Sequence, residues 1–294
     1  MRVLVTGGSG FLGKYVLDRL KLEGHSILSL YRKKNEEEGV GVLVGDLNDL
    51  EPIKEKIIDF QPEVIIHLAW QGIPDFSSKI SQLNLDLSIS FLNFILDNTS
   101  CRKVVVAGSC WEYGKKFGKC QEDDLISVNS FFAWAKTSLY KYLSIKCDEV
   151  GASLVWFRIF YLFGPKQRGK SLIPTLIRCF RQNKPPNIKS PLNRNDFVYV
   201  DDAASIIQKS LSSSVVPGIY NIGSGQSTSV YKISKIIEKL ITQKSNFSDE
   251  ILEKGTNQET VNFWACTTKL RNLLPFDQKT TLELGIDKTI QEGK

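Results

Sequence analysis

Three glycines at intervals of three residues, Gly7, Gly10 and Gly13, follow directly on the apolar run Val3-Leu4-Val5. Glycine at this spacing lets the chain turn tightly, brings bare backbone within reach of a phosphate, and allows the next helix to pack close to the strand. A helix opening at Phe11 and Leu12 aims its unpaired amides at that phosphate. The chemistry predicted is capture of a dinucleotide pyrophosphate by Gly7, Gly10, Phe11 and Leu12. After the next apolar run, Ile27 to Leu30, the position where a ribose-binding carboxylate belongs holds Tyr31, followed by Arg32, Lys33 and Lys34. A carboxylate there accepts hydrogen bonds from the adenosine ribose of NAD, whereas the planar fork of Arg32 suits a 2′-phosphate. The expected cofactor is therefore NADP(H), with NAD(H) as the alternative.

Such a site needs a strand, a turn and a helix in immediate succession. Phe11, Leu12, Val16, Leu17 and Leu20 recur at helical spacing, Gly24 supplies a stop, and Ile27-Leu28-Ser29-Leu30 reads as a second strand. Further apolar runs cover 40–44, 64–69, 104–107 and 154–159, each read as following a segment of helical spacing. That alternation predicts an α/β fold with a doubly wound parallel sheet. Leu83, Leu87, Phe91 and Phe94 to Leu96 make one broad apolar helix face, and Ala133 to Ile145 make another. After Pro165 the regularity weakens. The basic stretch Lys166 to Lys170, a helix over 172–181 and a loop with Pro185, Pro186 and Pro191 predict substrate-binding architecture rather than more sheet.

With 294 residues, 42% of them hydrophobic, the chain can bury a substantial core. No stretch approaches the roughly 20 uninterrupted apolar residues of a membrane span, so a cytoplasmic protein without membrane contact is expected. The cysteines Cys101, Cys110, Cys120, Cys147, Cys179 and Cys266 lack the paired spacing of a zinc site and are read as reduced thiols. His25 and His67, the two histidines, suggest neither a metal site nor a nucleophile triad. A net charge of +6 suits an anionic small molecule and is too dispersed for nucleic acid.

Behind the glycine turn come further landmarks in order. They are Gly45-Asp46-Leu47, the run Val64 to Ala69, Ser109 four residues before Tyr113-Gly114, Lys136, the stretch Arg158 to Gly164-Pro165, and Asp196-Phe197-Val198-Tyr199-Val200-Asp201-Asp202. From Met1 to about Ile222 this set resembles the extended short-chain dehydrogenase/reductase family, in its NAD(P)-dependent nucleotide-sugar epimerase, dehydratase and ketoreductase branch. The resemblance implies a Rossmann-type domain over 1–163 with about 196–223, and a smaller C-terminal substrate domain from 164–195 and 224–294. It implies that Asp46 and Leu47 contact the adenine and that Leu68, Ala69 and Trp70 line the path to the nicotinamide ribose. It also implies a nucleotide-sugar substrate and a homodimer joined through the two broad helix faces.

The family works on a sugar carbon with a Ser or Thr, a Tyr and a Lys, the last two one helical turn apart. Ser109 matches the first, and Lys136 matches the last and would also hold the nicotinamide ribose. The tyrosine position holds Phe132. Phenylalanine keeps the ring packing and cannot relay a proton, so a penalty of roughly 100-fold to 10,000-fold is expected. An engineered variant, a natural enzyme whose proton passes through Ser109, Lys136 or water, and a protein that binds without turnover all fit this residue.

In the family's 4,6-dehydratases an Asp-Glu pair follows the Ser or Thr and performs the elimination. This chain has Cys110-Trp111 there, and Glu112 comes one position late, where strand alternation turns it to the opposite side. Tyr161 replaces the family's usual Asn. The reading is NADPH-dependent reduction of a nucleotide-linked 4-keto-6-deoxyhexose, with a nucleotide-sugar 4-epimerase as the alternative and a non-catalytic nucleotide-sugar or dinucleotide binder as the alternative of another class. Cys110, Trp111 and Tyr161 are the expected sugar contacts, and Arg168, Lys170 and Arg194 the candidate cations for the diphosphate.

Overall fold

The computed structural model describes residues 1–33, 38–244, 246–254, 261–274 and 280–292, so Lys34 of the basic run lies outside the described residues. Strand β1 (Arg2–Thr6) ends in a turn that Gly7 makes with φ +76°, and helix α1 (Phe11–Leu22) starts on its far side. Then follow β2 (Ser26–Tyr31), β3 (Gly41–Val44), α2 (Lys54–Phe60), β4 (Val64–His67), α3 (Ser78–Asn98) and β5 (Lys103–Ser109). Next come β6 (Gly118–Cys120), α4 (Phe131–Val150), β7 (Ser153–Ile159), β8 (Tyr161–Phe163), α5 (Leu172–Arg181), β9 (Arg194–Asn195) and β10 (Phe197–Tyr199). The chain finishes with α6 (Val200–Lys209), β11 (Gly218–Ile222), β12 (Thr228–Ser229), α7 (Val230–Thr242), α8 (Asn246–Lys254), β13 (Phe263–Ala265), α9 (Thr268–Leu273) and α10 (Leu282–Glu292).

Seven strands form one sheet in the order β11-β7-β5-β4-β1-β2-β3, every neighbouring pair parallel. The order reverses between β1 and β4, which leaves a crevice at the carboxyl ends of those strands, beside the glycine turn. Side chains alternate across the sheet, so both faces must be covered by helices. Val3, Val5, Ile66 and Val105 pack on one face with Val16, Leu17 and Leu20 of α1 and Ala203, Ile206 and Ile207 of α6. Leu4, Ile65, Val104 and Val106 pack on the other with Phe91, Leu92 and Ile95 of α3 and Leu139 and Leu143 of α4. Ser77 and Ser130 cap the N-termini of α3 and α4, and Gly151 ends α4 with φ +67°.

One expected connection differs. No helix lies among the described residues between β2 and β3. The span from Tyr31 to Gly41 is too short for the helical crossover that usually joins parallel strands.

Beyond β7 the chain builds a second cluster from Phe163, Leu176, Phe180, Tyr199, Ile233, Ile237 and Ile286. Three small ribbons join the two regions: β8 with β10, β9 with β12, and β6 with β13. Helix α9 goes back to the large sheet, where Leu270 and Leu274 pack with Tyr220 and Ile222. Among the described residues no helix is long and apolar enough to cross a membrane.

Candidate active site

The crevice holds two adjoining clefts. The first, about 450 Å³, runs from the glycine turn past Arg32, Asp46 and Leu47 to Leu68, Ala69 and Trp70. Gly7 has no substitute here, because its positive φ disfavours a side chain and a Cβ would stand 2.8 Å from the backbone nitrogen of Ala69. Asp46 lines the cleft and also closes a turn by accepting from Asn48 N at 2.9 Å.

A buried polar chain fixes the segment from Leu68 to Gln71. Ser88 Oγ donates to the Asn84 carbonyl at 2.6 Å, so in its 3.0 Å contact with His67 the ring Nε2 must be the donor. His67 Nδ1 then accepts from Thr6 Oγ1 at 2.9 Å, and Thr6 Oγ1 in turn accepts from Ala69 N. Burial, aided by the charge of Lys136, pushes the His67 pKa down to about 3 and keeps the ring neutral. Asn84 completes the clamp by accepting from Gln71 N at 2.8 Å and donating to the Gln71 carbonyl at 3.1 Å.

The second cleft, about 410 Å³, shares Gly7, Gly10, Phe11, Leu68, Trp70 and Arg168 with the first, adds Leu12, and extends to Ser109, Phe132 and Lys136. Ser109 ends β5 and caps a single 3₁₀ turn over Cys110–Tyr113, where its Oγ accepts from Trp111 N. Glu112 closes that turn from the other side by accepting from Ser109 N at 2.8 Å. Its carboxylate also accepts from Trp156 Nε1 and, at 3.0 Å, from Arg158 Nε in a buried ion pair. Glu112 does point away from the cleft, through this turn rather than through strand alternation.

Lys136 donates to the Ala107 carbonyl at 2.7 Å and lies 4.0 Å from the centre of the Trp70 ring. Burial pushes its pKa down to about 7, with Glu112 pulling the other way. Phe132 stands among Trp70, Phe76 and Trp111 at ring separations of 5.4, 5.0 and 5.9 Å. Trp111 Nε1 donates to the Tyr161 hydroxyl at 3.3 Å, which joins Tyr161 to the same wall. Cys110 reaches the cleft edge, but it is buried against Cys120, Tyr113 and Phe160, and burial raises its thiol pKa well above the usual range.

Of the expected phosphate cations, Arg168 lines both clefts and donates to the Ile73 carbonyl. Arg194 does not reach either one. Its guanidinium donates to the Ser227 carbonyl at 2.7 Å across the β9–β12 ribbon, and Lys170 is likewise absent from both linings. Lys166 lines the first cleft.

Sequence reasoning did not single out Asn84, Phe76 or Gln167. The last is the one neutral polar side chain between the cations Lys166 and Arg168, where charge dominates the local pattern. Trp70 Nε1 and Gln167 Oε1 are buried without a partner among the described residues, and both residues line the clefts. In a site whose other buried groups are paired, an orphan donor and an orphan acceptor mark where a polar ligand completes the structure. A glycine turn open to a phosphate, the cations Arg32, Lys166 and Arg168 along the clefts and these two orphans fit a nicotinamide dinucleotide.

Residues 3–223 match the family model described as the NAD dependent epimerase/dehydratase family. The chain belongs to this family. Its members here are nicotinamide-dependent epimerases, dehydratases and reductases of nucleotide sugars. Among its relatives is the uncharacterized UDP-glucose epimerase YtcB of Bacillus subtilis, 28% identical over 99% of this chain and 97% of that protein. Another is the dTDP-4-dehydro-6-deoxyglucose reductase of Escherichia coli, 25% identical over 85% of each chain. The Thermus thermophilus UDP-glucose 4-epimerase in complex with NAD has the same fold, with a TM-score of 0.79 at 22% identity over 99% of this chain and 98% of that one.

Proposed function

We propose that the protein is an NADPH-dependent reductase of a nucleotide-linked 4-keto-6-deoxyhexose. The observation that carries this reading is the meeting of Ser109 and Lys136 with the glycine turn in the second cleft, next to the first cleft that Arg32 lines. The reduced nicotinamide supplies a hydride. Gly7, Gly10 and the start of α1 hold the pyrophosphate, Arg32 meets the 2′-phosphate, and Asp46 and Leu47 flank the adenine. Leu68, Ala69, Trp70 and Lys136 place the nicotinamide ribose. Ser109 hydrogen-bonds the sugar oxygen, with Cys110, Trp111 and Tyr161 walling the ring and Arg168 facing the diphosphate. In this reading residues 1–163 with 196–223 carry the cofactor, 164–195 with 224–294 carry the substrate, and the protein works in the cytoplasm as a homodimer.

The similarity to the Escherichia coli reductase supports this reading. The similarity to YtcB favours a 4-epimerase as the second reading. Phe132 favours a third, binding without turnover. Incubation with a nucleotide-linked 4-keto-6-deoxyhexose and NADPH separates them. Stoichiometric loss of the reduced-nicotinamide absorbance is the expected result, while sugar interconversion without net cofactor change identifies the epimerase. Binding of both ligands with no turnover, in this chain and in Phe132→Tyr alike, identifies the binder.

A further inference from the structure

We propose that Lys136 is itself the proton donor to the substrate oxygen, and the acceptor in the reverse direction, in place of the hydroxyl that Phe132 lacks. The inference rests on the reductase reading. It starts from which groups on the cleft wall can exchange a proton. Cys110 is turned into a small apolar cluster and its thiol pKa is raised by burial. The Tyr161 hydroxyl is engaged by Trp111, and burial raises its pKa as well. Arg168 is tied to the Ile73 carbonyl and, in this reading, faces the diphosphate. Ser109 can hydrogen-bond the oxygen, but an alkoxide left behind would need an acid beside it to restore its proton, and the acid on that wall is Lys136.

Lys136 is different in position and in surroundings. It lies one helical turn after Phe132 on α4, on the same wall as Ser109. Among the described residues Lys136 donates to the Ala107 carbonyl alone, so an ammonium keeps N–H bonds for a ribose and for a substrate oxygen. No carboxylate pairs with it directly among the described residues. Glu112, in the turn after β5, is the acid that acts on it from a distance, and that carboxylate is already held by Arg158 of β7. His67 at the end of β4 is neutral, and Tyr140 lies one turn further along α4 with its phenol pKa raised by burial. Glu112, the Ala107 carbonyl and the face of Trp70 all favour the ammonium, yet burial outweighs them and amine and ammonium interchange near pH 7. The rings of Trp70, Phe76, Trp111 and Phe132 close the wall, so the proton comes from a fixed group rather than from bulk water.

The step balances. As the carbonyl carbon accepts a hydride from the reduced nicotinamide, the C=O π pair moves onto oxygen, and that oxygen takes a proton from the Lys136 Nζ. The ketone becomes a secondary alcohol, the nicotinamide is oxidised, and the neutral amine regains its proton from solvent when product leaves.

Two measurements test this. In ligand-free protein carrying ¹³C at the lysine ε-carbons, the resonance assigned to Lys136 by difference from Lys136→Arg is expected to titrate near neutrality. Reduction by Lys136→Ala is expected to fall about 100-fold to 10,000-fold and to be restored by added primary alkylamines, with a rescue rate that follows the amine pKa. Titration at the ordinary lysine value of 10.5 overturns the proposal without reference to any substrate. Rescue indifferent to amine pKa also overturns it, because the ammonium then serves only to hold the ribose. If the chain consumes no NADPH but interconverts nucleotide sugars, the reductase reading fails alone, and the same rescue is read on epimerisation. No turnover of either kind overturns both.

Discussion

At Arg32 a planar cation lines the first cleft, and the preceding β2 residue is Tyr31 rather than a carboxylate. A charge-assisted pair with a 2′-phosphate exists only for NADPH, so the loss on deletion is selective. Arg32→Ala is expected to weaken NADPH binding by about 10-fold to 100-fold and to leave NADH within about twofold, measured by calorimetry. Equal losses for the two cofactors would remove the argument. His67 gives a second residue-scale expectation. Its ordinary value of 6.5 is pushed down to about 3 in the fold, so below 6.5 the unfolded chain binds a proton that the folded chain refuses. Stability from this group is therefore fully present above 6.5 and is lost as pH falls toward 3. Chemical denaturation at a series of pH values should show a steeper acid decline for the wild-type chain than for His67→Gln.

The strand-to-turn junction from β5 is the element that places Ser109, Cys110 and Trp111 on the wall of the second cleft. Ser109 four residues before Tyr113 was legible, but the 3₁₀ turn between them was not, because four residues carry no usable period. What closes the turn is a reciprocal cap, Ser109 Oγ to Trp111 N and Glu112 to Ser109 N, backed by Arg158 and Trp156 from β7. Removing one partner of a buried ion pair leaves the other uncompensated. Glu112→Ala is thus expected to destabilise the protein by about 3–5 kcal/mol, read as a lowered denaturation midpoint. A change within about 0.5 kcal/mol would show that Arg158 finds another partner.

At the scale of the whole molecule, the broad faces of α3 and α4 divide their apolar residues between two tasks. Leu92, Ile95, Leu139 and Leu143 belong to the core under the sheet. Phe131, Trp134 and Ile145 remain 56%, 40% and 71% exposed on α4, which is more large apolar surface than one helix of a monomer needs to show. A homodimer that covers this face is the expected state. Sedimentation at micromolar concentration should give a dimer for the wild-type chain and a monomer for Trp134→Glu. A wild-type monomer overturns the assembly.

The sequence by itself determined the parallel sheet, the glycine turn and the membership of Ser109, Phe132 and Lys136 in one site. The first two rest on local signals, apolar period and glycine spacing, and the third on the resemblance to the short-chain dehydrogenase/reductase family, which ties Ser109 to Phe132 and Lys136 one helical turn apart. Tertiary structure decided which charges share the site. Arg168 reaches both clefts while Arg194 is taken up by Ser227 on a distant ribbon, and Glu112 is consumed by Arg158 from another strand. It also brought Trp70 and Phe76 of the β4–α3 connection and Trp111 of the turn after β5 around Phe132, and buried Lys136 deeply enough to change its proton affinity. Burial and pairing depend on neighbours far away along the chain, and no local pattern encodes them.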